Sequence, residues 1–217
     1  MILEIGLLDK KNIIMIKKYK NFIKESVTPK SELDSFNKNG YEVKHKKIID
    51  INNPDVQYDV YWGRNAKTND FLTKNFSGKY ASSIGGSNPS QNDIWMHITS
   101  ELNKENFYKT KSGEVFDDQL PRRVVGTHLI IKTIQDDIIP QNVILQAADI
   151  VRKNSSLEIL SDTKKRIPAN DLENCDIVFC KKDYVRKDPG SVLGQVQVDH
   201  SNARYIQYSK GNINIKN

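Results

Sequence analysis

The chain has 217 residues, enough for one domain with a sizeable core plus an appendage. Its 37% hydrophobic and 28% charged content fits a soluble globular protein on the polar side and excludes a membrane protein or a wholly disordered one. A formal charge of +6 and a pI near 9.1 favour an acidic partner such as nucleic acid. Of the 33 basic residues 26 are Lys and 7 are Arg, and Ile and Asn are abundant too, a bias that all proteins of one source share. Where the cations cluster therefore says more than their sum.

Residues 1–40 read as an N-terminal extension. Met15, Ile16, Tyr19, Phe22 and Ile23 recur at helical spacing with Lys17, Lys20 and Lys24 opposite, which predicts an amphipathic helix from about Lys10 to Ser26. Such a helix docks on a core, or lies on a membrane surface or on RNA. The longest apolar run, Ile13 to Ile16, is far too short to span a bilayer, and Glu4 and Asp9 interrupt anything like a secretory signal. No transmembrane segment is expected. Thr28-Pro29 and Asn37 to Gly40 punctuate a linker.

Tyr41 to Ile51 and Gln57 to Trp62 read as an antiparallel hairpin across a turn-rich NNPDV segment. In its second strand Tyr58, Val60 and Trp62 fall on one side and Asp59 and Tyr61 on the other. Gly63 breaks the strand. Arg64, Asn65 and Lys67 follow, with Asn65 as the expected N-cap of a helix whose apolar stripe is Phe71, Leu72 and Phe76. Two cations thus flank a helix N-terminus, where unpaired N–H groups and the helix dipole attract an anion. The guest is a phosphate, or a carboxylate of the same protein; a merely capped surface helix is the plainer alternative.

Ser77 to Asn92, rich in Gly, Ser and Asn, reads as a mobile loop. Asp93 to Ile98 is a strand with Ile94, Met96 and Ile98 on one face and Trp95 and His97 on the other. Thr99 to Val125, of mixed charge, reads as a surface excursion. Pro140 opens a helix carrying Val143, Ile144, Ala147, Ala148 and Val151 on one stripe and ending near Asn154, with Arg152 and Lys153 in its last turn. Lys164 to Arg166 is taken as a solvated loop. A strand from Cys175 to Lys181 leads into Lys182, Tyr184, Arg186 and Lys187 and the turn Asp188-Pro189-Gly190, where cations interleave with an aromatic ring, either to follow a phosphate backbone and stack on a base or simply as a solvated strand connection. Val192 to Val198 and Ala203 to Tyr208 are expected to close the sheet before a frayed, Asn-rich end.

The two cysteines, Cys175 and Cys180, would point to opposite faces of one strand and so do not bridge; a reducing, cytoplasmic compartment fits, and no zinc pattern occurs. There is no HExxH, GxSxG or Walker glycine loop, so neither an enzyme nor a cofactor is expected.

Five pieces in order carry a family resemblance: YWGRN (Tyr61 to Asn65) with Asn69-Asp70 and Leu72-Thr73 after it, DIWMH (Asp93 to His97), GTHLIIK (Gly126 to Lys132), AADIVRKNSS (Ala147 to Ser156) and KKDYVRKDPGSVLGQV (Lys181 to Val196). Together they resemble the RNA-binding module of the NFACT proteins, the ribosome quality-control tailing factors and their relatives. The likeness runs from about Tyr41 to about Tyr208, with Met96 where that family prefers Phe, and with longer connections at about 77–92 and 99–125. It implies a domain over 41–217 of α+β class, mostly antiparallel sheet with packed helices. It also implies structured RNA as the partner, tRNA or a ribosomal complex, with DNA as the competitor suggested by short standalone relatives. Tailing itself is not implied, because the long coiled coil and the N-terminal module of those factors are not in this sequence. The nucleic-acid-binding candidates are Gly63, Arg64, Asn65, Lys67, Asn69, Asp70, Trp95, His97, His128, Lys181, Lys182, Tyr184, Arg186 and Lys187. If the two strands pair as the resemblance implies, His97 and His128 share a face near Trp95, either as a platform for an unpaired base or as hydrogen-bonded supports of the sheet; Trp62 and Trp95 carry the same two readings, with core packing the plainer. A protein-interaction module using the 99–125 segment and the N-terminal helix is the reading from a different class; oligomeric state is left open.

Overall fold

The structure is a computed structural model that describes residues 40–74, 93–99, 107–117, 122–133, 138–160, 165–209 and 212–216. The expected N-terminal helix, Phe76 and the 77–92 loop lie outside the described residues. Strands β1 (Val43–Ile49) and β2 (Gln57–Gly63) form the expected hairpin, with Val43 opposite Gly63 and Ile49 opposite Gln57. Helix α1 (Ala66–Lys74) follows, then β3 (Ile94–Thr99), β4 (Phe107–Lys109), β5 (Val115–Asp117), β6 (Arg122–Val125) and β7 (Leu129–Ile131). After helix α2 (Gln141–Lys153) come β8 (Ser156–Ile159), β9 (Lys165–Pro168), β10 (Asn174–Lys181), β11 (Val185–Arg186), β12 (Gln197–Val198), β13 (Arg204–Ser209) and β14 (Asn212–Lys216).

Seven of these strands form one antiparallel sheet in the order β1-β2-β7-β3-β10-β13-β14. The protein is therefore an α+β fold built mainly on antiparallel sheet. Period-2 alternation splits its side chains between two faces. Tyr58, Val60, Met96, Ile98, Leu129, Ile131, Ile177 and Ile206 face α2, whose Val143, Ala147, Ala148 and Val151 are fully buried. The small alanines let the helix approach the strands closely. On the other face Tyr61, Trp95, Ile130, Val178 and Tyr205 pack beneath α1 and the 182–203 segment, through Phe71, Leu72 and Val185.

Pro140 starts α2, its carbonyl accepting from Val143 N and Ile144 N. Arg152 does more than complement the helix dipole. It donates to Ala169 O at 3.2 Å and Leu172 O at 3.0 Å, and its guanidinium lies 4.6 Å from the Tyr208 ring centre. Cys175 and Cys180 fall in opposite cores and are unpaired; burial pushes both thiols up to about 12, so neither is a nucleophile at neutral pH.

Four expectations need correction. The 99–125 stretch is not a mere excursion, because β6 pairs with β8 and β8 with β9 in a second sheet, while Lys109 and Lys111 hydrogen-bond through their backbones to Glu173 and Asp171. Lys165 and Arg166 lie in β9 and not in a loop, paired to Ile159 and Glu158. Of Val192 to Val198, only Gln197 and Val198 form a strand, and it pairs with β11 outside the main sheet. The Asn-rich end is the edge strand β14, registered on β13 from Asn212 to Lys216. In the second sheet and at the β14 edge, pairing with a partner strand outweighed local polar composition. Among the described residues no helix is long and apolar enough to cross a membrane.

Candidate nucleic-acid interface

The strand-turn-helix motif forms at the end of β2. A side chain at Gly63 would place its Cβ 2.3 Å from Asn69 Oδ1 and 3.1 Å from Asn69 N, so the turn requires glycine for close approach. The Gly63 amide donates to His128 O at 3.1 Å, and Thr127 Oγ1 donates to the Gly63 carbonyl. Gly63→Ala is expected to cost about 1–3 kcal/mol, as overpacking does, read as a lower urea midpoint. Gly63 thus shapes the motif and offers no side chain to a ligand.

Asn65 caps α1: its Oδ1 accepts from Thr68 N at 2.8 Å and from Thr68 Oγ1 at 2.9 Å. Thr68 Oγ1 in turn accepts from Glu42 N at 2.9 Å, tying the cap to the start of β1. Arg64 is exposed and, among the described residues, belongs to no ion pair. Lys67 is exposed as well, its Nζ 5.1 Å from the Tyr41 ring centre, and Tyr41 stacks on Phe71 at 4.2 Å. The ring holds the ammonium near the helix start.

Asn69 and Asp70 are turned inward, so their expected contact with nucleic acid is corrected to a structural role; Trp95 and His128, which the sequence left open to either reading, are turned inward too. Asn69 is buried and donates Nδ2 to Gly126 O at 2.9 Å while Oδ1 accepts from His128 N at 3.1 Å. It fastens α1 to the segment entering β7. Met96 opposite Leu129 fixes the β3–β7 register that makes His97 and His128 neighbours, their ring centres 4.9 Å apart and nearly perpendicular. Trp95 stacks on His97 at 5.8 Å and meets His128 edge-on at 5.2 Å. Trp95 and His128 are each only 1% exposed, so no base can stack on them. His128 Nδ1 is hydrogen-bonded to Thr73 Oγ1 at 2.7 Å. For His128 the geometry is that of a hydrogen-bonded support of the sheet, while His97 beside it is half-buried. Burial lowers the His97 imidazole to about 4, and burial followed by the His97 charge holds His128 well below its ordinary value.

The basic segment after β10 divides in the same way. Lys182 is 6% exposed, and burial, opposed by Asp183 and Asp93, brings its ammonium down to about 8. Lys187 folds back across α1: its Nζ donates to both oxygens of Asp70 at 2.7 Å, with the two side chains 4% and 9% exposed. Asp70 also accepts from Gly194 N at 2.7 Å. One of the chain's own acids has therefore taken one of the expected phosphate ligands. Lys181 is exposed but pairs with Ile94, toward the opposite end of β3 from His97, and alternation puts it on the α2 side of the sheet. It does not join the α1 corner. Arg186 does approach, since β11 runs beside α1; it is exposed and pairs with Gln197.

Tyr184 and Arg186 line a cleft of about 370 Å³ together with Asp183, Gln197, Val198, Asp199 and His200. Asp183, Gln197, Asp199 and His200 escaped the sequence reading. Only Asp199 carried a local signal, the Asp-His-Ser-Asn run of a side-chain-capped turn. Its carboxylate accepts from Ser201 Oγ at 2.6 Å, Asn202 Nδ2 at 2.9 Å and Ser201 N at 3.1 Å, which keeps it below the usual carboxylate value. His200 Nδ1 is hydrogen-bonded to the Tyr205 hydroxyl at 2.6 Å. With donors and acceptors of both signs, the cleft suits the edge of a neutral polar group better than a bare phosphate. Among the described residues no group of three or more His, Cys, Asp or Glu could hold a metal ion.

No protein-family model and no curated protein matches the chain. Among solved structures it is similar to the C-terminal part of the fibronectin/fibrinogen-binding protein from Streptococcus suis, with a TM-score of 0.42 and 13% identity over 76% of this chain and 45% of that one. The chain spans less than half the length of that structure.

Proposed function

We propose that this protein is a non-catalytic nucleic-acid-binding protein that takes structured RNA, tRNA or a ribosome-associated RNA, through phosphate contacts at the α1 corner. The observation that supports this best is the pair Arg64 and Lys67, both exposed, at the start of a helix whose cap leaves the cations facing solvent. Arg186, exposed on the adjoining strand, extends the positive surface. The order of the motifs from YWGRN to DPGSVLG supports RNA over other polyanions, since it resembles an RNA-binding module.

The test is a titration of labelled tRNA at several salt concentrations, alongside duplex DNA of equal length. Binding should weaken linearly in log Kd against log salt, and tRNA should bind more tightly than the duplex. Arg64→Ala with Lys67→Ala should lower affinity about tenfold or more and reduce the slope by about 2, one for each lost phosphate contact. Binding that ignores salt, or a double variant that binds like the parent, would overturn the reading. Tighter binding to the duplex would make DNA the partner.

A further inference from the structure

Resting on the RNA reading above, we infer that Val192 and Leu193, at the tip of the β11–β12 hairpin, are an apolar contact that meets the sugars and bases of the bound RNA while the neighbouring cations meet its phosphates. The two side chains are adjacent and 72% and 61% exposed. Among the exposed large hydrophobics of the described residues they are the one pair adjacent in sequence.

The loop that presents them is held from both sides. Lys187 Nζ, already on Asp70, also donates to Val192 O at 2.7 Å, and the Asp70 carboxylate takes the Gly194 amide. Gln195 N donates to Val192 O at 3.0 Å, and both Ser191 N and Ser191 Oγ donate to Asp188 O. Gly190 and Gly194 adopt φ of 79° and 81°, the left-handed conformation that closes the turn on either side of the apolar pair. The backbone polar groups around the tip therefore bond inward and the two aliphatic side chains point out.

The tip's neighbours indicate the ligand. Gly194 packs so closely on the first residue of α1 that a Cβ there would sit 3.3 Å from Ala66 Cβ, which puts the tip at the corner carrying Arg64 and Lys67. A rigid apolar wedge beside cations is an arrangement by which proteins engage unstacked or splayed bases. Two aliphatic side chains are also far less area than the core of a stable protein–protein interface, while the exposed cations of the adjoining corner, Arg64, Lys67 and Arg186, are of the sign a polyanion needs.

The test is Val192→Ser with Leu193→Ser in the full chain, titrated with tRNA across the same salt series. Both residues are at the surface, and a circular dichroism melt matching the parent confirms the fold. The expected result is an affinity about tenfold lower at every salt concentration with an unchanged log–log slope, because an apolar contact is lost and no phosphate contact is. Arg64→Ala with Lys67→Ala should instead flatten the slope, so the two kinds of contact separate in one experiment. Unchanged tRNA affinity in the serine variant overturns the inference and leaves the RNA reading standing; it is also the outcome expected if the tip served a protein partner. A lower affinity with an altered slope overturns it too, since the change would then act through the cations. Absence of salt-dependent tRNA binding by the parent overturns both.

Discussion

Replacing Asp70 by alanine is expected to destabilise the protein by about 3–5 kcal/mol, the usual cost of removing one partner of a buried ion pair. The Lys187 ammonium would be left among α1 and the hairpin with its side chain 4% exposed, and the Gly194 amide would lose its acceptor. Asp70→Asn keeps an acceptor for that amide and removes only the charge, so its loss should be smaller. Urea denaturation of the two variants and the parent measures this. A loss under about 1 kcal/mol for the alanine variant, the range of solvent-exposed pairs, would show that water reaches the bridge. The result bears on function as well as stability, because this bridge holds the hairpin, and with it Arg186 and the apolar tip, against the α1 corner.

Acidification should weaken the fold in a window set by the half-buried His97 and the buried His128 beside it. The ordinary imidazole value is 6.5 and that of His97 in the fold is about 4. Between these values the unfolded chain binds a proton that the folded chain refuses, so stability is full above about pH 6.5 and declines as pH falls. The slope is about 1.4 kcal/mol per pH unit for each histidine, or about 3 kcal/mol for His97 over the whole window. His128, also lowered, adds to the loss; besides His97, the charge of Lys187 works against its protonation. Urea midpoints at pH 7.5, 6.5, 5.8 and 5.0 would test this above the range in which carboxylates dominate. A His97→Gln variant should show a shallower decline. A flat profile in the parent would mean that water reaches both rings.

Much of the fold could be read from local pattern. The stripe from Val143 to Val151 placed α2 to within about a residue, and the alternation in Tyr58 to Trp62 and Ile94 to Ile98 assigned those side chains to the correct faces. Asn65 as the cap of α1 was legible for the same reason: a cap bonds three residues along its own chain. The second sheet was not, because β6, β8 and β9 are only four residues each, mix charged with apolar side chains, and are defined by pairing with one another over a small cluster of Leu157, Ile159 and Ile167.

The candidate site was less legible than the fold. Lys181, Lys182, Arg186 and Lys187 form one basic run in the sequence, yet one of them reaches solvent near α1, one sits on the far side of the sheet, and two are withdrawn, Lys187 onto an aspartate 117 residues away. Nothing in the run itself distinguishes a lysine that faces water from one that faces an acid. Helical and strand periods, caps and turn glycines are short-range properties, set by sterics and hydrogen bonds within a few residues, and the amino-acid order specifies them directly. Whether a cation stays at the surface depends on which partner the folded chain brings to it, a matter of long-range packing, which set Lys187 on Asp70 and kept Arg64 exposed.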